Sequence, residues 1–194
     1  MLQDTIKACR SYRRFRENER INHDLLVKWV DAARFASSAR NAQALRYTVV
    51  SEPDACERVF SCLGWAAALR DWPGPAAGER PSAYIIMWRD AERSVGDRED
   101  AWDQGIAAQS IMLQAVEDGF AGCMIGNVKR RKLAEIFGID EQRFRADLVL
   151  ALGRPAEEVR IEPLAEGAPV TYWRDEAGVH HVPKRALEDV LLQP

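Results

Sequence analysis

Apolar residues recur at helical spacing in several stretches of the chain, and each stretch predicts a helix with one buried face. The first begins after Asn22, a residue type that favours helix N-caps, and runs into a polar segment at residues 37–43. The other predicted helices cover residues 53–61, 100–118, 129–137 and 186–192. Gly119 and Gly138 follow two of these helices, as C-terminal capping glycines do.

Runs of β-branched, aromatic and other apolar residues predict strands between the helices. They lie at 47–50, 83–88 and 147–152, with a short strand or extended turn at 121–125. Residues 170–173 and 179–182 flank an Asp-Glu-Ala-Gly turn and predict a hairpin. The alternation predicts one α+β or α/β domain over residues 1–194, with about four or five strands.

Two stretches show no clear hydrophobic periodicity. Residues 62–82 contain repeated Gly and Pro and predict a long loop, and residues 156–170 predict an extended arm. Long loops inside compact domains are often functional. Trp65 and Trp72 lie in the loop, and the sequence leaves open whether they line a substrate pocket or pack ordinarily.

The helix predicted at 100–118 has an unusual middle part. Residues 105–116 are small or apolar almost all round, which predicts burial on most of the circumference. A chain of 194 residues has limited means of covering one helix completely. A second subunit could supply the missing cover.

Composition excludes several classes of protein. Hydrophobic residues make up 47% and charged residues 29%, as in globular proteins rather than disordered ones. A net charge of −3 provides no broad positive field for nucleic acid or an anionic membrane, although local basic clusters suit small anionic ligands. No membrane helix or signal peptide is evident, and the four cysteines lack CxxC spacing, so we expect reduced thiols in a cytoplasmic protein.

The residues offer few ready-made catalytic motifs. No glycine-rich phosphate loop occurs, so a phosphate would need another site. Arg10-Ser11-Tyr12-Arg13 could surround one with charged donors or could be a solvated surface. Residues 37–43 could bind a flavin or base edge, or could simply be a helix-terminal turn. The adjacent His180 and His181 would point to opposite faces of a strand, so we expect no metal site.

Six segments together resemble the FMN-dependent nitroreductase family over nearly the whole chain. Residues 10–15 resemble its R-S-x-R-x-F signature, 37–43 its P-S-x-x-N-x-Q segment, and 103–109 its D-x-G-x-A-x-Q helix start. Residues 122–126, 150–155 and the basic pair 184–185 follow in the family's order. The chain departs from the pattern at three places: Ser37 replaces a proline, Ala44-Leu45 replaces Pro-Trp, and Cys9 replaces a first arginine.

The resemblance implies a role for each matching residue. One group would hold the phosphate and ribityl chain of FMN, namely Arg10, Ser11, Lys184 and Arg185. Arg13 would lie beside N1 and the C2 carbonyl of the flavin, and Gly126 or Asn127 would donate a backbone N–H to N5. The other subunit would contribute Ser37, Ser38, Ala39 and Asn41, with Gln43 supporting that segment.

The resemblance also implies a fold and an activity. The fold is a central, mostly antiparallel sheet of four to five strands flanked by helices, in an intertwined homodimer with FMN at the interface and the 62–82 loop nearby. The activity is electron transfer from NADH or NADPH through FMN to a small acceptor such as a nitroaromatic, a quinone or free flavin, by a ping-pong mechanism without a catalytic side chain. Alternatives are dehalogenation, enoate reduction or flavin fragmentation, or a flavin-binding dimer without useful turnover.

Overall fold

A four-stranded sheet forms the centre of the computed structural model, which describes residues 1–69 and 72–192. Its strands are β1 (Leu45–Val50), β2 (Ala83–Asp90), β3 (Ala121–Ile125) and β4 (Phe144–Gly153). They lie in the order β1-β2-β4-β3, and every neighbouring pair is antiparallel. The predicted α+β architecture and antiparallel central sheet are confirmed.

Six α-helices of the described residues surround or follow this sheet. They are α1 (Leu2–Ala8), α2 (His23–Ala33), α3 (Pro53–Phe60), α4 (Asp97–Glu117), α5 (Arg130–Phe137) and α6 (Leu187–Val190). Asn22 caps α2 by accepting a hydrogen bond from the Asp24 N–H, and Gly138 ends α5 in the left-handed conformation, as predicted. The sequence did not predict α1, a helix of seven residues of which only Thr5 is buried.

The sheet is buried on both faces. Along β2, Ile85 and Met87 pack with α2 and α4, whereas Tyr84 and Ile86 pack with α3 and α5. Successive side chains of a strand point to opposite faces, so a strand between two helical layers must be apolar at every position. This explains why residues 83–88 form a continuous apolar run rather than an alternating one.

A second, smaller sheet lies in the C-terminal part of the chain. It contains β5 (Val159–Pro163), β6 (Trp173–Arg174) and β7 (His180–Lys184), in the order β5-β7-β6. The hairpin of β6 and β7 is confirmed with shifted bounds. Within residues 156–170, predicted as an extended arm, residues 159–163 form β5, which pairs in parallel with β7, a strand about twenty residues further along the chain.

The predicted loop at 62–82 contains no helix or strand in its described part, and only Leu63 makes an isolated bridge, to Val128. All four cysteines are buried and free. Among the helices of the described residues, none combines the length and the apolar character needed to cross a bilayer.

Candidate functional site

The chain segment after α1 lies against the edge strand β3 and places the first predicted binding residues there. Ser11 forms a parallel bridge with Gly122, and the Tyr12 N–H donates to the Gly122 carbonyl at 2.9 Å. Phe15, fully buried, pairs with Pro155 just beyond the end of β4. These contacts hold Arg10, Ser11 and Arg13 beside β3, although the N-terminus and β3 are more than a hundred residues apart.

Arg13 is a buried cation with electrically neutral partners. The residue is 8% exposed, and its Nη1 donates to the Ser11 carbonyl at 3.3 Å and to His180 Nε2 at 3.1 Å. Its guanidinium carbon lies 4.8 Å from the centre of the Tyr172 ring. Within the described residues, no carboxylate oxygen approaches this guanidinium closely enough to form an ion pair. A buried charge without a counter-ion is costly, which suits a site that receives an anionic or electron-rich ligand.

Glu157 joins the N-terminal segment to the C-terminal sheet. One carboxylate oxygen accepts hydrogen bonds from the backbone N–H groups of Arg13 and Arg14, and the other binds Arg174 at 2.6 Å. The side chain of Glu157 is 2% exposed. Its charge therefore neutralises Arg174 and fixes the backbone at Arg13, but it does not neutralise the Arg13 side chain.

Gly126 and Asn127 follow the end of β3 and are both exposed. The space around Gly126 is open, since a Cβ atom built there would find its nearest neighbour, the Asp147 carbonyl, at 3.9 Å. The Gly64 N–H donates to the Asn127 carbonyl at 2.9 Å, so the loop that begins at residue 62 starts beside this backbone.

The same loop reaches the C-terminal sheet. Trp65 and Trp72 lie edge to face with ring centres 6.4 Å apart, and the Arg174 guanidinium lies 4.9 Å from the centre of the Trp72 ring. Trp72 and Tyr172 line an open cleft of about 440 Å³ together with Leu69 and Trp173. The loop and the two sheets thus meet around Arg13 and Arg174.

The second predicted group, residues 37–43, contacts α4 and directly precedes β1, which lies at the opposite edge of the central sheet from β3. Arg40, Asn41 and Gln43 adopt positive φ angles of 54°, 53° and 51°, a conformation that costs residues with a side chain roughly 1 kcal/mol or more each. The buried Asp103 carboxylate holds the segment by accepting from the Ala39 N–H at 2.9 and 3.1 Å. Strained backbone maintained in this way is common at ligand sites.

Side chains of this segment are accessible from outside. Ser37, Asn41 and Gln43 are exposed, whereas Ser38 and Ala39 are partly buried. Gln43 binds within the segment, its backbone N–H donating to Ser38 Oγ and its amide to the Asn41 carbonyl, each at 3.3 Å. A cleft of about 180 Å³ opens between this segment, β1 and α4.

The structure does not bring all predicted residues together within one chain. Arg10 donates to the Ile6 carbonyl at 2.8 Å, and Lys184 and Arg185 are exposed at and after the end of β7. Within the described part of the chain, no hydrogen bond or ion pair joins Arg10 to either residue, or residues 37–43 to Arg13. The assignment of all twelve residues to one site stays a prediction.

His180 and His181 face opposite sides of β7, as predicted, and their environments differ. His180 is 1% exposed, and burial and the nearby Arg13 charge lower its pKa to about 4. His181 binds Asp175 at 3.0 Å and Glu162 at 2.7 Å, and these hydrogen bonds raise its pKa. Glu162 lies on β5 and reaches His181 only through the parallel pairing of β5 with β7, so no local sequence pattern predicts this contact.

Sequence reasoning missed four residues around Arg13, namely Glu157, Tyr172, Arg174 and His180. The only available signal was the His-His pair in a strand, which indicates one inward and one outward ring. Cys123 also lies in this region, and burial raises the pKa of its thiol although the Arg13 charge opposes this effect. No group of three or more potential metal ligands occurs among the described residues.

Comparison with known proteins identifies relatives of this chain. The Bacillus subtilis (strain 168) protein YdgI, a proposed NAD(P)H nitroreductase, is 22% identical over 185 residues, covering 80% of this chain and 88% of that protein. Two solved structures share the fold. A proposed Desulfovibrio desulfuricans nitroreductase in complex with FMN has a TM-score of 0.69 and 20% identity, covering 100% of this chain and 96% of its own.

The second structure, a nitroreductase family protein from Clostridium novyi NT, has a TM-score of 0.67 and 23% identity, covering 80% of this chain and 85% of its own. The match to the Desulfovibrio structure covers the full length of this chain and therefore includes the C-terminal sheet. The family model described as the nitroreductase family matches residues 6–154, which extend from α1 to just beyond β4. The chain belongs to the nitroreductase family.

Proposed function

We propose that the protein is an FMN-dependent oxidoreductase that takes electrons from NADH or NADPH and passes them to a small organic acceptor. The acceptor class is a nitroaromatic, a quinone or a free flavin, and the two substrates react in turn at one site. FMN would supply the redox chemistry when bound, by accepting hydride at N5 and releasing it to the acceptor. The protein residues would bind, orient and tune it.

The buried Arg13 guanidinium is the observation that carries this proposal. Its partners are a carbonyl, a neutral imidazole and an aromatic ring, so its positive charge is not cancelled. A flavin gains negative charge at N1 and the C2 carbonyl on reduction, and a fixed cation there stabilises the reduced form. The residues present fit FMN in this respect.

The other candidate residues fit the remaining parts of FMN. Arg10 and Ser11 lie on the same segment as Arg13 and would bind the phosphate, with Lys184 and Arg185 as further cations from the C-terminal side. Buried Arg10 Nε has no partner in the described residues, which leaves it available as a donor. The exposed backbone of Gly126 and Asn127 would donate to N5.

We infer that the active form is a homodimer. Trp102 and Ile106 on α4 are 56% and 45% exposed, and Leu2 and Ile6 on α1 are 68% and 45% exposed, although these are large apolar side chains. A second copy packed on this face would bury them and would bring its own Ser37–Gln43 segment to the flavin. Exposed apolar surfaces of this kind favour protein association.

The first test is the visible spectrum of the protein after incubation with FMN and gel filtration. We expect bound flavin, anaerobic bleaching by NADH or NADPH, and recovery of the oxidised spectrum on addition of a nitroaromatic. A protein that retains no FMN would contradict the proposal. Bound flavin that neither nicotinamide reduces would leave cofactor binding intact and overturn the electron-transfer role.

A charge-removing variant tests the role of Arg13. Arg13→Gln keeps hydrogen-bonding capacity but removes the cation, and we expect FMN to bind about tenfold to a hundredfold more weakly, the range for a charge-assisted bond. Fluorescence titration of the apoprotein measures this affinity. Arg16→Gln is the matched control, because Arg16 lies on the same segment, is exposed and pairs with Glu19. Equal affinities for the two variants would remove Arg13 from the site.

The dimer has its own test. Ile106→Asp places a charge on the exposed apolar face of α4, and we expect sedimentation velocity to show a shift towards monomer with a parallel loss of bound FMN. Val27→Asp, an exposed apolar position at 45% on α2, is the control. A variant that remains dimeric and retains FMN would place the interface elsewhere.

A further inference from the structure

The contact between Arg13 and His180 defines the hydrogen-bonding state of both residues. Arg13 Nη1 and His180 Nε2 are 3.1 Å apart, and both residues are buried. A guanidinium only donates, so Nε2 must accept and the ring proton must be on Nδ1. His180 Nδ1 is itself buried and has no partner among the described residues.

The surroundings of His180 keep it neutral. Burial, Arg13 and Arg174 lower its pKa, whereas Glu157 opposes them. His181, on the opposite face of β7, also lowers the pKa of His180 slightly. The uncharged Tyr172 ring lies with its centre 5.1 Å from the centre of the His180 imidazole. With a pKa of about 4, the ring is an uncharged acceptor at neutral pH.

Other poorly exposed arginines of the chain are paired differently. Arg174 binds the Glu157 carboxylate at 2.6 Å, and Arg89 binds Asp100 at 3.4 Å, with Asp147 also nearby. The same Glu157 accepts a hydrogen bond from the Arg13 backbone N–H, but its carboxylate forms no ion pair with the Arg13 guanidinium. A carboxylate pair would fix the Arg13 side chain equally well and would also cancel its charge.

We propose that His180 is a positioning residue that fixes the Arg13 guanidinium while leaving its positive charge available to the bound cofactor. The inference rests on the proposed FMN site and adds a residue on β7 to it, outside the family-matched residues 6–154. Tyr172 assists by covering the guanidinium with an uncharged ring. The uncharged character of His180 is then as important as its hydrogen bond.

Two variants of nearly the same shape separate the hydrogen bond from the charge. His180→Gln offers a neutral amide oxygen to Arg13, whereas His180→Glu offers a carboxylate that would form an ion pair and cancel the cation. The readout is the midpoint potential of bound FMN, measured by anaerobic dye equilibration. We expect His180→Glu to weaken binding of reduced relative to oxidised FMN at least tenfold, which lowers the potential by about 30 mV for two electrons.

The conservative variant and the neighbouring histidine provide the controls. His180→Gln should retain a potential close to that of the unsubstituted protein. His181→Gln should do the same, because His181 lies on the outer face of β7 and binds Glu162 and Asp175 instead. Equal potentials for the Glu and Gln variants at position 180 would overturn the proposal, whether both are shifted or neither is.

A third variant keeps the proposal falsifiable if His180→Glu does not fold. His180→Leu keeps an uncharged side chain but offers no hydrogen-bond acceptor, so we expect FMN affinity in fluorescence titration to fall at least fivefold. Unchanged affinity would show that His180 does not fix Arg13. If the unsubstituted protein itself fails to bind FMN, the proposed function fails first, and this outcome is distinct from FMN binding that is indifferent to residue 180.

Discussion

The central sheet and the C-terminal sheet of this protein are held by different forces. The strands of the central sheet are buried between two helical layers by residues such as Ile85, Leu150 and Val149, all fully buried. The C-terminal sheet has no comparable apolar interior, and most residues of β5 and β6 are exposed or partly exposed. Its fixed points are polar, namely the contacts of Glu157 with Arg174, Arg13 with His180, and His181 with Glu162 and Asp175.

The difference teaches where each kind of interaction is useful. Apolar burial is strong and has no direction, so it stabilises the sheet that supports the site. Buried polar pairs add little net stability but hold particular atoms in particular places. The side chains that would tune a cofactor lie at the polar contacts, where the two sheets meet. The apolar central sheet supports them.

The largest expected effect is from truncating a core side chain of the central sheet. Leu150→Ala removes a fully buried side chain of β4, and we expect a loss of about 3 kcal/mol in the free energy of unfolding. Urea denaturation followed by circular dichroism measures it. Ile161→Ala, at an isoleucine of β5 that is 43% exposed, should reduce stability by less than about 1 kcal/mol. Similar losses for both would erase the distinction between the regions.

A smaller effect is expected from breaking the polar clamp, that is, the contacts of Glu157 with Arg174 and with the backbone N–H groups of Arg13 and Arg14. Glu157→Gln leaves Arg174 without its charged partner. We expect the free energy of opening of the C-terminal sheet to fall by about 2 kcal/mol, which would be measured as faster hydrogen exchange in β7. The double variant Glu157→Gln/Arg174→Gln should recover part of the loss, since no unpaired charge remains. Glu158→Gln, at an exposed pair with Arg160, is the control.

Exchange in the central sheet should remain unchanged in the Glu157→Gln variant, because β2 and β4 are covered by apolar helices rather than by the clamp. Uniform acceleration in both sheets would show that they open as one unit and would contradict the comparison drawn above.

The smallest expected effect is a pH dependence confined to the C-terminal sheet. Hydrogen bonds to Asp175 and Glu162 raise the pKa of His181 above its ordinary value of about 6.5, so their contribution is complete below that pH and is lost as pH rises through the raised value. The pKa of Asp175 is lowered, mainly by His181, so its contribution is lost only as pH falls below the usual carboxyl range.

The contacts of His181 should therefore be strongest between about pH 4 and 6.5. We expect β7 amides, corrected for intrinsic exchange, to be less protected at pH 8.5 than at pH 5.5, and His181→Gln to remove most of this difference. A pH dependence that survives in the variant would assign the effect to another group.

Much of the scaffold was predictable from local pattern. The apolar run at 83–88 predicted β2, and the cap at Asn22 marked the start of α2, because hydrophobic periodicity and capping depend on residues close in sequence. Strand β5 carries a short alternation, in which Val159 and Ile161 are apolar and Arg160 and Glu162 are charged, but its parallel pairing with β7 about twenty residues later depends on tertiary packing and on no local pattern. Candidate residues came from local motifs and a family resemblance, whereas their assembly into one site stays a prediction.

The sequence alone thus determined a layered scaffold of helices and strands, because such patterns depend on neighbouring residues, and its motifs determined the family resemblance. Only the tertiary structure decided that Arg13 meets His180 across 167 positions and that Glu157 binds the backbone rather than the side chain of Arg13. These contacts depend on how separate segments pack together in space. The charge state of a buried group depends on that packing, because burial and nearby charges shift its pKa away from the ordinary value of its residue type.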